Sequence, residues 1–490
     1  MHHYFLSTCM ALTLSACMVG PDYERPTVDT PREWRFSDPK AVANVANTAW
    51  WQQFQDPVLN RLIQIALQEN QDLKIAAARV MEFLGQYVAT RAPLFPQLSG
   101  GVKVGRAGQS TVEPPSTAGV VNTFRGAIDL SYEIDLWGKY RRATEAAQAQ
   151  LLSSEEGRRT VILSLVASVA SAYTDLRSLD QHLVLSQQTL ESRAQWLRII
   201  ELRFKAGIVS SLEVSQAQSD YETVAAEIPR YQKLIALQED LLSILLGRNP
   251  GSIPRGRTLE TLKLPAVPGG LPSDLLLRRP DIRQAEQDLI AANANIGVAR
   301  AAFFPTLSLT SGLGTLSATT ANLFTQPAKI WEIGATLTQP IFTGGALIGQ
   351  LQIAEAQQQQ LLFNYLKVIQ TAFKEFNDAL IAYQKTREQL QVQALQVEAL
   401  QNYQRLARLR YDNGYVSYID VLDADRQLFN AQISYTDTYA QFFDSLVNLY
   451  KAMGGGWVDL AEQGAAPYTG PQTIPDFFLP GDVTSTLPVK

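Results

Sequence analysis

Histidine and cysteine are scarce in this 490-residue chain. It has 3 His and 2 Cys, and only His182 lies beyond the first twenty residues. No thiol pair and no histidine cluster is therefore available to hold zinc or an iron–sulfur cluster, or to form a nucleophile–base pair. Carboxylates are plentiful, but none pairs with a second catalytic group in a recognisable motif. We expect no enzyme activity, no catalytic residue and no metal site.

A strong charge imbalance and long apolar runs are also missing. Charged residues make up 18% of the chain, with 42 Lys+Arg against 47 Asp+Glu. This balance excludes an acidic disordered tail and argues against a nucleic-acid partner. No segment beyond the N-terminus has the roughly 18 consecutive apolar residues of a transmembrane helix. If the mature chain crosses a membrane, we expect it to do so as a closed β-barrel, because lipid leaves unpaired backbone groups unsatisfied.

The N-terminus carries a short apolar segment followed by small residues, which predicts a signal peptide over residues 1–16. Leu14-Ser15-Ala16-Cys17 resembles the bacterial lipobox, in which the cysteine is acylated and becomes the mature N-terminus. We expect a covalent lipid on Cys17, no other cofactor, and a lipidated segment over 17–56. The acyl chains would contribute roughly 0.8 kcal/mol per buried CH₂ to membrane anchoring. An ordinary signal peptide that happens to contain a cysteine is the alternative.

The rest of the chain contains two copies of one plan. Arg91-Ala92 and Phe95-Pro96 recur, at one constant shift, as Arg300-Ala301 and Phe304-Pro305. A Pro/Gly-rich stretch separates the copies and predicts a linker. The predicted divisions are repeat 1 over 57–247, a linker over 248–272, repeat 2 over 273–457 and an irregular tail over 458–490.

Each copy predicts a helix, two β segments and two long helices. Apolar residues at three- and four-residue spacing form a narrow stripe on the long helices, and the other faces are rich in Gln, Ala and Ser. This composition is typical of a coiled coil with water on both flanks. About 65 helical residues span ~100 Å. The predicted helices are 57–92, 139–205 and 211–247 in the first copy, and 273–302, 345–411 and 417–453 in the second.

The β segments alternate strictly between apolar and polar residues. Phe124, Ile128 and Leu130 share one face, whereas Arg125 and Asp129 share the other. Such alternation over about ten residues is typical of outer-membrane barrel strands, although a half-buried soluble hairpin has the same pattern. Four strands cannot close a barrel, so several chains must share one, and three chains give twelve strands. The predicted strands are 97–105, 124–134, 305–313 and 331–338.

Several motifs in a fixed order resemble the TolC family of outer-membrane efflux channels, and closely its lipoprotein branch typified by OprM. The resemblance implies an α+β membrane protein, a homotrimer whose twelve-stranded β-barrel continues into a long α-helical coiled-coil tunnel in the periplasm. It also implies location in the lipid of the outer membrane, with a periplasmic adaptor and an inner-membrane pump, most often of the resistance-nodulation-division type, as partners. The matching segments are 17–26, 50–57, 132–138, 271–281, 291–297, 301–305, 420–424 and 448–457.

The turns between the long helices are the natural place to close such a tube, because three copies can converge there. Gly207 and Gly414 fit helix C-caps that need positive φ. Ser210 and Ser417 fit the N-caps that follow, with an acid three residues later in each copy. These acids, Glu213 and Asp420, would complete capping boxes, an interpretation that is sufficient on its own.

A second interpretation concerns Asp420 and Asp423, which lie three residues apart on one helix face. In a symmetric assembly they would form two rings of carboxylates that favour cations. The resemblance implies that this Asp-Val-Leu-Asp segment lines the periplasmic aperture. Ile419 is a candidate apolar constriction, with simple packing as an equally weighted alternative.

The resemblance also implies polar links that hold the closed state. Tyr411 matches the family's tyrosine, and Glu213 matches its acidic partner. The arginine that some members carry near this turn is replaced by Val416. Asp412 and Arg426 are the candidates to take its place.

Three functions remain open at this stage. The first is an exit duct for drugs or other small toxic compounds, gated at its periplasmic end. The second is a duct for protein secretion or metal efflux; with 5 Met and 3 His, soft-metal binding along the lumen is not expected. The third is a soluble periplasmic scaffold tethered by Cys17, against which the four amphipathic strands argue.

Overall fold

Two long helical hairpins and one four-stranded sheet make up most of the molecule. The computed structural model describes residues 18–31, 48–109, 119–264, 272–454, 456–470 and 474–475. The predicted signal peptide and the predicted lipidation site at Cys17 lie outside these residues. None of the described helices is both long and apolar enough to cross a bilayer.

The two repeats follow the same element order. The first contains α1 (Pro57–Glu69), α2 (Gln71–Arg91), β1 (Gln97–Gln109), β2 (Gly119–Ile134), α3 (Lys139–Lys205) and α4 (Ser211–Leu245). The second contains α5 (Pro272–Arg278), α6 (Pro280–Ala301), β3 (Thr306–Ser317), β4 (Lys329–Thr338), α7 (Ala346–Asp412) and α8 (Tyr418–Met453), and is followed by α9 (Trp457–Gly464).

The long helices agree with the sequence prediction to within about two residues at each end. Helices α3 and α7 have 67 residues each and therefore extend for ~100 Å. Ile162, Val166, Val169, Tyr173 and Leu176, the stripe residues of α3, are all completely buried. The stripe is therefore the seam along which α3 packs against its neighbours, as predicted.

The first helix of each copy is divided, which corrects the prediction of one continuous helix. The α1–α2 break lies at Asn70, whose side chain accepts a hydrogen bond from Leu73 N (3.0 Å) and donates one to Leu245 O (2.9 Å). The second break lies at Arg279, which has extended backbone because it precedes Pro280. Each break separates a shorter helix from the longer one that follows it.

A third correction concerns the tail, which begins with helix α9 instead of irregular chain. Trp457, at the start of α9, is completely buried and packs edge-on against Trp50, with ring centroids 5.9 Å apart. Trp50 in turn stacks on Tyr450 of α8 at 5.3 Å. The aromatic cluster therefore packs the segment before α1 and the start of α9 against α8.

A buried carboxylate fixes the linker against the same body. Asp56 caps α1 by accepting from Val58 N at 2.8 Å. It also accepts from the Tyr173 hydroxyl and from Arg257 N, both at 2.9 Å. One side chain thus joins the start of α1, the middle of α3 and the inter-repeat linker.

The sheet is antiparallel with strand order β1-β2-β3-β4, so its central pair joins the two repeats. The β2–β3 register places Tyr132 opposite Leu309 and Asp129 opposite Gly312. Strands β1 and β2 extend beyond the predicted segments, to Gln109 and from Gly119. The outer edges of β1 and β4 have no partner strand among the described residues.

Candidate functional site at the hairpin tips

Both long hairpins turn through a glycine in the left-handed conformation. Gly207 has φ 72° and Gly414 has φ 74°. The amide after each glycine returns to the helix, Ile208 N to Arg203 O and Tyr415 N to Arg410 O, both at 2.9 Å. This is the Schellman arrangement, which satisfies the last helical carbonyls. The predicted helix caps at both glycines are therefore confirmed.

The two N-caps that follow the turns differ. Ser417 and Asp420 form the predicted capping box, in which Asp420 Oδ2 accepts from Ser417 N at 3.1 Å. Ser210 makes no side-chain capping hydrogen bond, so the prediction of a second box with Glu213 is wrong. Glu213 accepts instead from the other repeat, which explains why it does not turn back to its own helix.

That partner is Tyr411, whose hydroxyl lies 3.4 Å from Glu213 Oε2. The Tyr411 ring is buried against Trp196 and Tyr418, with centroid separations of 5.9 and 5.8 Å. Burial raises the pKa of Tyr411 above its usual value, so the hydroxyl remains a donor. Tyr411 and Glu213, the pair that the resemblance implied, are thus in contact, and they join α7 of repeat 2 to α4 of repeat 1.

Two ion pairs add to this connection between the repeats. Arg203 Nη2 lies 3.4 Å from Asp412 Oδ1, and Arg426 Nε lies 2.9 Å from Asp220 Oδ1. Asp412 and Arg426, the candidates to replace the arginine missing at Val416, therefore both make inter-repeat contacts. We call the three pairs Tyr411–Glu213, Arg203–Asp412 and Arg426–Asp220 the inter-repeat links.

Asp220 takes part in one of these links, and the sequence reasoning missed it. Its carboxylate is buried and also lies 3.0 Å from Nε of the buried Arg193. A signal was present, because Asp220 occupies a position of the buried stripe of α4 between Ala217 and Val224. An acid at such a position requires a partner, since burying an unpaired charge is costly.

Asp423 and Ile419 lie on the accessible side of α8. Asp423 is exposed, and its Oδ2 accepts from Gln427 Nε2 at 2.6 Å and from the Tyr403 hydroxyl at 3.3 Å. The Ile419 side chain is half exposed, and Asp420 lies beside it at the start of the helix. Neither acid forms an ion pair with a Lys or Arg of the segments that the structure describes. Both carboxylates therefore present negative charge on the first two turns of α8.

The comparison with known proteins identifies the family. The model of the family "Outer membrane efflux protein" matches residues 62–248 and again 271–455. The toluene efflux pump outer membrane protein TtgC of Pseudomonas putida is 38% identical over 461 residues, covering 92% of this chain and 95% of that protein. The cation efflux system protein CusC of Escherichia coli is 36% identical over 458 residues, covering 92% and 98%.

Solved structures agree with the sequence relatives. The outer-membrane channel OprN superposes with a TM-score of 0.84 at 29% identity, covering 90% of this chain and 100% of that one. The open state of the Neisseria gonorrhoeae MtrE outer-membrane channel gives 0.81 at 30% identity, covering 90% and 99%. Similarity over this length extends to the sheet as well as to the helical hairpins.

The family architecture explains the two free edges of the sheet. Three chains contribute four strands each to a twelve-stranded barrel, and the long helices continue it as a periplasmic tunnel. The predicted fold class and the predicted location in the outer membrane are thus confirmed. The double match of the family model corresponds to the tandem repeat. Since the family model matches most of the chain and the relatives are 36–38% identical over more than nine tenths of it, this chain belongs to the outer membrane efflux protein family.

Proposed function

We propose that this chain is the exit duct of a tripartite pump that exports drugs or other small toxic compounds, and that it opens and closes at the hairpin tips. A periplasmic adaptor and an inner-membrane pump of the resistance-nodulation-division type are its partners. The gate is supported by two features of the same hairpin tips, the three inter-repeat links and the two acids on α8 that form no ion pair among the described residues.

In the trimer, threefold symmetry turns Asp420 and Asp423 into two stacked carboxylate rings. Such rings concentrate cations and repel one another, so they govern conductance wherever the opening is narrow. Ile419 contributes an apolar ring at the same level. The capping role of Asp420 is compatible with this function, because only one of its carboxylate oxygens serves Ser417.

Opening requires the α7–α8 hairpin to move away from the α3–α4 hairpin. Each inter-repeat link joins one hairpin to the other, so all three must break or rearrange. Gly207 and Gly414 stay capped during this motion, because their hydrogen bonds lie within single hairpins. The adaptor supplies the energy by binding the open tips better than the closed ones.

A lipid on Cys17 places the chain's N-terminus in the same membrane as the barrel. Val19 N donates to Trp137 O at 3.1 Å, and Met18 lies against Gly138, between the end of β2 and the start of α3. The residues after the predicted lipidation site therefore lie at the base of the barrel. Asp22 extends this attachment through an ion pair with the buried Arg142 at 2.5 Å.

Metal efflux is a second candidate because one relative, CusC, is named as part of a cation efflux system. Among the residues that the structure describes, no group of three or more His, Cys, Asp or Glu side chains could hold a metal ion. We therefore assign the choice of cargo to the pump. Protein secretion has no specific observation in its favour.

Complementation tests the proposal. The chain would be expressed in Pseudomonas putida cells that lack the toluene-efflux relative but keep its adaptor and pump, and toluene tolerance would be measured. Restored tolerance that requires an active pump is the expected result. A trimer that reaches the outer membrane, binds the adaptor in cross-linking and still restores nothing would contradict the assignment. Tolerance of metal cations in cells with a cation pump tests the second candidate.

A further inference from the structure

A cluster of three charges lies on the sheet, far from the hairpin tips. Asp129 of β2 pairs with Gly312 of β3, and Gly312 pairs with Glu332 of β4, so the two acids lie in one row on either side of a glycine. Arg125 lies four residues before Asp129 on the same face of β2. Its Nη2 atom lies 3.0 Å from Asp129 Oδ1 and 3.5 Å from Glu332 Oε1.

Gly312 makes this arrangement possible. A Cβ at this position would lie 2.9 Å from Asp129 Oδ1 and 3.0 Å from Glu332 Oε1, closer than ordinary contacts allow. The missing side chain lets both acids lean over the middle strand toward one guanidinium. A glycine within a strand weakens the strand and often marks a close approach of other groups. Three adjacent strands therefore cooperate in building the cluster.

The cluster faces water and not lipid. Side chains alternate across a strand, and the opposite face carries Leu313, Trp331 and Ile333, which are 68%, 76% and 79% exposed. An apolar exposed face of this kind belongs to lipid in an outer-membrane barrel, which leaves the charged face for the lumen. Glu332 is itself 71% exposed, so the pair adds little to stability and its charge remains available to solutes.

The remaining charges on this face nearly balance. Lys103 of β1 lies directly opposite Arg125 in the β1–β2 register. Glu133, the next acid toward the periplasm, is 3.4 Å from Lys139 Nζ and accepts from the Tyr140 hydroxyl at 3.0 Å. Without Arg125, Lys103 would be the remaining cation near the Asp129–Glu332 row among the residues that the structure describes.

We propose that Arg125 and Lys103, with Asp129 and Glu332, form a charge-balanced ring in the barrel lumen, and that Arg125 keeps this part of the duct from strongly preferring cations. The ring is a second determinant of ion selectivity. It lies ~100 Å from the acids of α8, the length of a long helix. That distance is about ten Debye lengths at 0.1 M salt, so the two sites act independently. A balanced lumen lets cationic, anionic and zwitterionic solutes pass.

Reversal potentials of the purified trimer in a planar bilayer, under a KCl gradient, test this proposal. All variants would carry Asp420→Ala and Asp423→Ala, so that the tips do not dominate selectivity. We expect Arg125→Gln to raise the ratio of cation to anion permeability by roughly twofold or more. Glu332→Gln should lower the ratio, and the effect of Arg125→Gln should shrink at 1 M KCl, where the Debye length is about 3 Å.

Two variants serve as controls. Arg106→Gln removes the same charge from β1, where pairing with Asn122 places Arg106 on the opposite face of the sheet. Arg125→Lys keeps the charge and should keep the parent's reversal potential. The proposal is overturned if Arg125→Gln shifts the potential no more than Arg106→Gln, or if Arg125→Lys shifts it as far. The inference depends on the barrel being the solute path. A folded trimer without a pore would contradict that function, whereas a pore with unchanged selectivity contradicts only the ring.

Discussion

Arg426→Gln tests the role of an inter-repeat link in channel opening without a large loss of folding stability. Arg426 is half exposed and pairs with Asp220 across the two repeats at 2.9 Å. Asp220 keeps its second partner, the buried Arg193, so the variant leaves no buried charge unpaired. The severe penalty of about 3–5 kcal/mol for an orphaned buried charge is therefore avoided. Asp220→Asn would incur that penalty and is unsuitable as a test.

The free energy that the closed state loses in this variant follows from the exposure of Arg426 and from the threefold symmetry. An ion pair with one accessible partner contributes at most about 1 kcal/mol. The trimer contains three copies, so the closed state loses up to about 3 kcal/mol, or roughly a hundredfold in the ratio of closed to open channels. We expect longer and more frequent open events in single-channel recordings of the purified trimer, with the thermal unfolding temperature almost unchanged.

Arg230→Gln is the matched control. Arg230 pairs with Glu227 at 2.6 Å, and both residues belong to α4 of repeat 1. The side chain of Arg230 is about as exposed as that of Arg426, 57% against 48%. This control removes the same charge from an ion pair that lies within one repeat. Equal opening in the two variants, or no opening in Arg426→Gln, would refute the role of the link.

Three further outcomes are expected. Asp56→Ala removes the acceptor for Val58 N and the Tyr173 hydroxyl, so guanidinium unfolding in detergent should show a loss of about 3 kcal/mol; a loss below that of a surface substitution would contradict the network. Gly414→Ala places a Cβ on a turn with φ 74° and should cost about 1–2 kcal/mol per chain, whereas Gly349→Ala, inside a helix, should be neutral or stabilising in the same thermal assay. Burial lowers the pKa of His182. As pH falls below about 6.5, the unfolded chain therefore binds a proton that the folded chain does not, and the free energy of unfolding falls. His182→Gln should reduce this fall, and an unchanged dependence of stability on pH would contradict the prediction.

The long helices could be predicted because their signal repeats over many turns. One stripe that includes Ile162 and Leu176 fixes the period, and Gly207 and Gly414 mark the ends. The strands were shorter in prediction than in the structure because alternation weakens toward Gln109 and Gly119, while backbone pairing continues. Periodicity therefore locates an element better than it locates its ends.

The helix breaks depended on different kinds of information. The break at Arg279 could have been read from the proline that follows, since that position disfavours helical backbone. The break at Asn70 depends on Leu245 O, which belongs to a distant helix. Helix α9 likewise depends on the packing of Trp457 against Trp50 and Trp51, which lie about 400 residues earlier in the chain. Contacts of this kind are absent from any local pattern.

At the hairpin tips, the sequence located the residues but not all of their partners. Tyr411 and Glu213 meet as the resemblance implied, whereas the two ion pairs of Asp220 emerged only from the packing of three helices. The difference between the two N-caps had the same origin. Ser210 and Ser417 look equivalent in sequence, but Glu213 has a tyrosine within reach from the other repeat and Asp420 has no such partner from repeat 1 in the described structure.

Single-channel conductance tests most directly whether the acids of α8 control the periplasmic end of the duct. Purified wild-type trimer would be compared in a planar bilayer with the Asp420→Ala/Asp423→Ala variant. We expect a low, cation-selective wild-type conductance, and a variant whose conductance rises or whose preference for cations falls. An unchanged conductance and selectivity in the variant would mean that Asp420 serves only to cap α8, and it would contradict the proposed gate.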